Sequence, residues 1–390
     1  MRKILEGSHA VSEAVKLCEP GVVSAYPITP QTHIVEALAS YKANGEADYE
    51  YLLAESEFAA ASIVEGAVAA GVRSYSATSS QGLLLMTEVL FNIAGMRLPL
   101  VLTVANRAIS APINIWNDQQ DAVTVRDSGW LMLYAEDNQE ALDMHIQAFK
   151  IAERINLPVM VNMDGYVLTH TYEPVDMPSR AEVKKYLPAY KPAEDEYLNI
   201  KKPKTFGAFA TPETYMELRE DLYNMVDNSR TVIKEEFSTY KKMFNRGTGN
   251  GMIDEYKVKD ADVVLITMGS VIGTMKDVVD ELREKGQKVG ILKIRCFRPF
   301  PSEDIVKALA GKKHIAVIEK AVSMGNEGVL SGEVKQALDK PVKPFVVGLG
   351  GKDVTKGVIK EIIKKAKSKP GHLQANAAGK DKKLEFIYPE

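Results

Sequence analysis

Through the first 170 residues, short strand-like runs alternate with longer stretches whose apolar residues recur at helical spacing. The runs predict strands at 21–26, 74–79, 99–105 and 157–163, and the periodic stretches predict helices near 30–43, 56–71, 82–95 and 138–154. Apolar strands separated by helices belong in a parallel sheet covered on both faces. The pattern restarts after residue 256: strands at 261–269, 288–294, 314–319 and 345–347 alternate with helices at 272–285, 302–309 and 328–339, and a last helix follows. The expected fold class is therefore α/β, with a doubly wound domain over 1–170 and a second, smaller α/β domain over 257–365. Between them, 171–256 breaks the pattern with prolines at 174, 178, 188, 192, 203 and 212, then runs as one amphipathic helix from about Glu213 to Phe244, stopped by Gly247, Gly249 and Gly251. Leu187, Tyr190, Tyr197, Phe206 and Phe209 give this segment too much apolar surface for a solvated linker, so it reads as an ordered arm. The tail, 366–390, is polar and broken by Pro370 and Gly371, which suits a segment extended along a neighbour or mobile.

Composition narrows the function. A chain of 390 residues has room for two or three cores. A net charge of −3 gives no electrostatic case for nucleic acid or an anionic membrane. The N-terminus lacks the apolar core of a signal peptide, and no apolar run is long enough to span a bilayer. Cys18 and Cys296 lie far apart, against a disulfide scaffold, a zinc knuckle or a chain-borne iron–sulfur cluster. The six histidines are scattered, without metal-ligand spacing or a credible triad, so no metal site is expected. These features describe a soluble, cytoplasmic protein.

Candidate chemistry gathers where strands run into loops, the edge at which open α/β sheets bind ligands. Residues 21–26 run into Pro27-Ile28-Thr29-Pro30, and Thr29 before a proline reads as the N-cap of the next helix. Such a loop suits either a well-capped helix alone or a small anionic substrate as well. Glu55-Ser56-Glu57 opens a very apolar helix; with Ser56 as cap, Glu57 falls in the first turn, where the macrodipole favours an ionised acid and burial opposes it. An acid there is either a surface residue or a group poised for proton exchange. Arg107 sits just past a buried strand, suited to bidentate capture of a carboxylate or to an ordinary surface ion pair. Residues 108–129 then form a long irregular stretch with an embedded Trp116, read as a ligand-facing loop. The clusters Gly348-Leu-Gly-Gly351 and Met268-Gly-Ser-Val-Ile-Gly273 lack phosphate-loop spacing and fit tight turns better.

Taken together, Tyr26-Pro-Ile-Thr-Pro30, Glu55-Ser-Glu57, Thr78-Ser-Ser-Gln-Gly82, Asn106-Arg107, Ser110-Ala-Pro-Ile-Asn-Ile-Trp-Asn-Asp118, Arg126-Asp-Ser-Gly-Trp130 and Tyr134-Ala-Glu-Asp-Asn-Gln-Glu140 resemble, in order, the α subunits of the 2-oxoacid:ferredoxin oxidoreductase family. The likeness continues through Cys296-Phe-Arg-Pro-Phe-Pro301 and Gly348-Leu-Gly-Gly351, so it covers essentially the whole chain. The resemblance implies a pyrimidine-type thiamine diphosphate domain followed by a transketolase-C-terminal-like domain. By the same resemblance, Glu57 bonds the pyrimidine nitrogen and promotes the imino form that generates the ylid. Tyr26, Pro27 and Ile28 line the cofactor, and Thr29 and Arg107 hold the 2-oxoacid carboxylate. Ser110, Asn114, Asn117 and Asp118 form a candidate active-site loop of the pyruvate type. The implied reaction is reversible: pyruvate, coenzyme A and oxidised ferredoxin give acetyl-CoA, CO₂ and reduced ferredoxin. A branched-chain 2-oxoacid is the alternative substrate, and a non-catalytic scaffold is the alternative class. No Gly-Asp-Gly motif with a following Asn is present, and Met163-Asp-Gly165 departs from it. Mg²⁺ and [4Fe-4S] clusters are therefore expected in partner β, γ and δ subunits, with this chain ligating no metal.

Overall fold

The computed structural model describes residues 1–367 and 384–389. Its strands, in chain order, are β1 (Arg2–Glu6), β2 (Val22–Ala25), β3 (Glu50–Leu53), β4 (Ser74–Thr78), β5 (Val101–Asn106), β6 (Leu131–Tyr134), β7 (Val159–Asp164), β8 (Tyr172–Asp176), β9 (Ile253–Tyr256), β10 (Val263–Thr267), β11 (Val289–Ile294), β12 (Cys296–Arg298), β13 (His314–Glu319), β14 (Lys343–Val346) and β15 (Glu385–Phe386). A seven-stranded sheet runs β12-β6-β7-β5-β4-β2-β3, and a six-stranded sheet runs β15-β14-β13-β10-β11-β9. Each is parallel except for one antiparallel edge strand, β12 in the first and β9 in the second. The interior strands β4, β5, β6 and β7 are buried along their whole length, as a sheet covered on both faces requires. A separate antiparallel pair, β1 with β8, lies beside them.

Several elements differ from the sequence reading. β3 (Glu-Tyr-Leu-Leu) is mostly exposed at the sheet edge, so burial left no apolar signature in it. The helix Gly7–Leu17 begins after Glu6 with no side-chain cap, and its start carries no punctuation to read. β12 comes from the second half of the chain yet pairs with β6 in the first sheet, which knits the two sheets together. Of the tail, β15 pairs with β14, while 368–383 and residue 390 lie outside the described residues.

The long arm helix runs Pro212–Phe244, with proline in its first turn and Asn245 closing it in the left-handed conformation. Its second half buries Ile233, Phe237 and Tyr240, and the helix packs on the helix Asn138–Ile155 of the first domain. There the Tyr240 hydroxyl donates to Asp143 at 2.7 Å, and Arg246 grips both oxygens of the same carboxylate. Its first half leaves Tyr215, Met216, Leu218 and Tyr223 exposed. No described helix is long and apolar enough to cross a membrane.

Candidate active site

The C-terminal ends of β2, β3, β4 and β5 lie along one edge of the first sheet, because neighbouring strands there are all parallel. Side chains stitch the loops at this edge together. Gln31 Nε2 donates to the Ala77 carbonyl at 2.6 Å, Ser79 Oγ to Ala105 at 2.7 Å and Ser80 Oγ to Ala108 at 2.5 Å. The edge is thus held by hydrogen bonds before any ligand arrives.

Glu57 is the first residue of the helix Glu57–Ala69, and Ser56 caps that helix by accepting from Ala59 N at 3.1 Å. The cap fixes where the helix begins and turns Glu57 inward; only 7% of the residue is exposed. Its carboxylate has no hydrogen-bond or ion-pair partner among the described residues, whereas Glu55 is exposed. Beside it, across Gly82, the Thr78 hydroxyl is also buried without a partner among the described residues. Buried polar groups are nearly always paired, so two unpaired ones side by side make this a candidate place for a polar ligand. Gly82 keeps that space open: a Cβ there would stand 2.6 Å from Glu57 Oε1 and 2.5 Å from Thr78 Oγ1. Gly82→Ala is therefore expected to leave the fold intact while lowering turnover of the assembled enzyme by about 10²-fold, the scale of a 1 Å misplacement. Circular dichroism and steady-state rates on the same preparation check both halves of that expectation.

The neighbouring group is cationic. Arg107 Nη1 donates to the Thr29 carbonyl at 2.8 Å and Nε to the Asn114 carbonyl at 3.0 Å. The residue is buried, and among the described residues its guanidinium contacts no carboxylate, so it is not the ordinary surface ion pair. Burial pushes its pKa below the ordinary guanidinium range. Two neutral carbonyls orient the charge without cancelling it. Thr29 is brought to Arg107 as the resemblance implies, but not as a helix cap. A turn closed by Gln31 N to Ile28 O at 2.8 Å intervenes, the helix starts at Thr32, and Gln31 precedes it without a side-chain cap. Thr29 is thereby left exposed with its hydroxyl free. Tyr26 and Pro27 are exposed on the same loop, and Ile28 is half-buried.

Asp121, absent from the sequence-level candidates, underpins Arg107 and the neighbouring Ser80 turn. Its Oδ2 accepts from Arg107 N at 2.9 Å and Ser80 N at 3.0 Å, and its Oδ1 from Asn106 Nδ2 at 3.0 Å. Complete burial raises its carboxyl pKa to about 7 against the pull of those donors. The folded chain then holds a proton that the unfolded chain has lost, so this group's contribution to stability falls as pH rises from about 4 to about 7. In Asp121→Asn that slope should flatten, at a cost at every pH because an amide nitrogen accepts nothing from a backbone N–H. Melting temperatures across the window give the comparison.

The candidate loop proves to be tied to the second sheet. Asn114 Nδ2 donates to the Gly350 carbonyl at 3.1 Å, Gly351 N to the Asn117 carbonyl at 2.6 Å, and Gly350 N to Asp118 Oδ2 at 3.3 Å. Gly350 and Gly351 both have positive φ, and a Cβ on Gly351 would stand 2.3 Å from Trp116 Cβ. The glycine cluster is thus the floor on which this loop docks. Lys320 bonds both Asn117 Oδ1 and Asp164 Oδ2, and Asp164 also accepts from Ser270 N and Oγ and from Gln119 Nε2. Burial opposes ionisation of Asp164, but Lys320 and these donors outweigh it and hold the carboxyl below its ordinary range. Asn117 and Asp118 therefore face this joint, Asn114 spans to it, and Ser110 lies at the exposed tip. Their long-range partners are invisible to local reading. The histidines likewise do not stay scattered in space, since the fold carries His33 and His170 to Glu6.

Residues 13–238 match the family described as pyruvate flavodoxin/ferredoxin oxidoreductase, thiamine diphosphate-binding, and residues 261–359 match core domain II of pyruvate:ferredoxin oxidoreductase. The chain is 49% identical to the pyruvate synthase subunit PorA of Methanocaldococcus jannaschii, covering 93% of this chain and 94% of that protein. It is 48% identical to the same subunit of Methanosarcina barkeri, over 93% and 92% of the two chains. The ketoisovalerate oxidoreductase subunit VorA of Pyrococcus abyssi is 42% identical, over 94% of each. Among solved structures, the 2-oxoglutarate:ferredoxin oxidoreductase of Magnetococcus marinus shares the fold with a TM-score of 0.75 at 22% identity; the match spans 94% of this chain and 65% of that one.

Proposed function

The chain belongs to the pyruvate:ferredoxin oxidoreductase family, and from that premise we propose that it is the α subunit of a heteromeric pyruvate synthase. The reaction is the reversible oxidative decarboxylation of pyruvate with coenzyme A to acetyl-CoA and CO₂, with ferredoxin taking the electrons. One observation carries this reading: a single sheet edge holds a buried carboxylate and a buried guanidinium, and neither is neutralised by an ion pair among the described residues. Such a pair suits a ligand with a proton-accepting nitrogen at one end and a substrate carboxylate at the other. Thiamine diphosphate, when bound, supplies the carbanion-stabilising chemistry. Glu57 would hold its pyrimidine nitrogen and exchange a proton there, with Thr78 offering a further polar contact and Tyr26-Pro27-Ile28 packing alongside. Arg107 and the Thr29 hydroxyl would receive the substrate carboxylate.

Partner subunits complete the site. Leu53 and Phe58 flank Glu57 in the chain and are exposed, as are Leu85 and Phe91 on the helices packed beside Glu57–Ala69. An exposed apolar collar around buried, unpaired charge suits coverage by another protein. The β, γ and δ subunits would bring Mg²⁺, the diphosphate site, the iron–sulfur clusters and the surface that meets ferredoxin. Cys18 and Cys296 give this chain no obvious part in electron transfer, since burial pushes the Cys18 thiol pKa up and that of Cys296 to about 12, keeping both protonated.

A monocarboxylic 2-oxoacid fits better than a dicarboxylate because Arg107 is the sole cation in the loops 26–31, 79–82 and 107–118. The higher identity to the pyruvate synthase subunits than to the ketoisovalerate subunit favours pyruvate. In the assembled complex, kcat/KM for pyruvate is expected to exceed that for 2-oxoisovalerate or 2-oxoglutarate by about tenfold or more. A complex that prefers either competitor would overturn the assignment of pyruvate.

A further inference from the structure

Glu6, His33 and His170 come from three separate places in the chain. Glu6 ends β1 and pairs with Tyr172 of β8, His33 lies in the first turn of the helix Thr32–Ala43, and His170 sits in the turn before β8. One ligating atom from each lies within 4.8 Å of the others. Glu6 is only 5% exposed. Its Oε1 is 2.6 Å from His33 Nδ1 and its Oε2 is 3.9 Å from His9 Nδ1, and no lysine or arginine pairs with it among the described residues. A buried carboxylate surrounded by imidazoles alone is an unusual arrangement for a purely structural ion pair, which ordinarily recruits Arg or Lys.

The two cluster histidines are pre-positioned. Their rings lie 4.6 Å apart between centroids, and the Tyr166 ring lies 4.6 Å from that of His170. The Thr169 hydroxyl is 2.7 Å from His170 Nδ1, which sets the ring's orientation. We propose that Glu6, His33 and His170 form a binding site for a borderline divalent transition ion of the Zn²⁺ type, with His9 or water completing the shell. Two imidazole nitrogens and one carboxylate are the donors such ions select. Metal–ligand distances of about 2.0–2.2 Å place tetrahedral ligands roughly 3.3 Å from one another. The widest-spaced donors must therefore close by about 1.5 Å at most, and the Glu6–His33 pair, 2.6 Å apart, must open by about 0.7 Å. Both movements are within reach of half-exposed imidazole side chains, whose exposure also gives the ion its entry path.

The ion would brace the substrate loop from behind. The segment that carries His170 begins at Gly165, which packs so closely on the loop that a Cβ there would stand 2.6 Å from Pro30 Cγ. A bound ion would fasten this segment to the helix that follows Thr29 and Pro30. The site is separate from the Mg²⁺ assigned above to a partner subunit, and its test does not depend on the proposed activity.

The full chain, stripped with chelator and dialysed, is titrated with Co²⁺ and followed by visible absorption, then with Zn²⁺ by calorimetry. About one equivalent should bind, with d–d absorption of a low-coordinate nitrogen–oxygen site that Zn²⁺ abolishes, and saturating Zn²⁺ should raise the melting temperature. Because Glu6 is buried, Glu6→Gln is paired with His33→Gln and His170→Gln, whose parent side chains are half-exposed. Each is expected to weaken binding tenfold or more, while His314→Gln in the second sheet leaves it unchanged. Absence of stoichiometric uptake, or uptake indifferent to His33→Gln and His170→Gln in folded protein, would reduce the cluster to a hydrogen-bonded pair and overturn the proposal.

Discussion

Glu57→Gln is expected to lower turnover of the assembled complex by about 10²–10⁴-fold, the range that a positioned proton-transfer group contributes. The substitution keeps size and shape and removes only the charge and its basicity. The Glu57 carboxylate is buried without a hydrogen-bond or ion-pair partner among the described residues, so glutamine breaks no side-chain contact that holds the fold. Against this stands a favourable interaction with the N-terminus of the helix Glu57–Ala69, worth about 0.3–1 kcal/mol. The net effect on the fold should be small, so the melting temperature of the variant should change little. Activity then falls while stability holds, which is the signature of a residue retained for chemistry. Loss of both together would instead make Glu57 a structural group.

Arg107→Ala should cost about 3 kcal/mol in kcat/KM for pyruvate, roughly 10²-fold, and most of the loss should appear in KM. The guanidinium is already desolvated and oriented by the carbonyls of Thr29 and Asn114, so a substrate carboxylate meets an organised charge rather than a hydrated one. Alanine also releases those two carbonyls and loosens the loops that bear them. Arg107→Lys separates the two effects. It restores a charge, yet an ammonium cannot hold two carbonyls and a bidentate carboxylate in one plane, so KM should recover only in part. A variant with unchanged KM and reduced kcat would place Arg107 away from the substrate carboxylate.

Local physical chemistry made some of this site readable from sequence. Ser56 as cap and Glu57 in the first turn follow from residue type and spacing, and the structure has both. The strand-end position of Arg107 was equally legible. Its burial was not, because two of the groups around it, Thr29 and Asp121, reach it across the fold. Thr29 shows how a sound local rule fails: threonine before proline is a good cap, but the intervening Ile28–Gln31 turn delays the helix to Thr32. The resemblance puts Asn117 and Asp118 in the active-site loop, yet their partners Lys320 and Gly350 lie some two hundred residues away. The gathering of Glu6, His33 and His170 had no local signature at all, since three elements supply one residue each. What escaped the sequence was in each case a contact made by tertiary packing, whereas the parallel sheets themselves were visible in alternating apolar runs.

The central claim is that this chain supplies half of a site that a partner must complete. Thiamine diphosphate binding and pyruvate-dependent reduction of ferredoxin should be measured on the full chain alone and on the reconstituted complex. The expected result is neither tight cofactor binding nor turnover by the chain alone, and both in the complex. Turnover by the isolated chain would contradict the account.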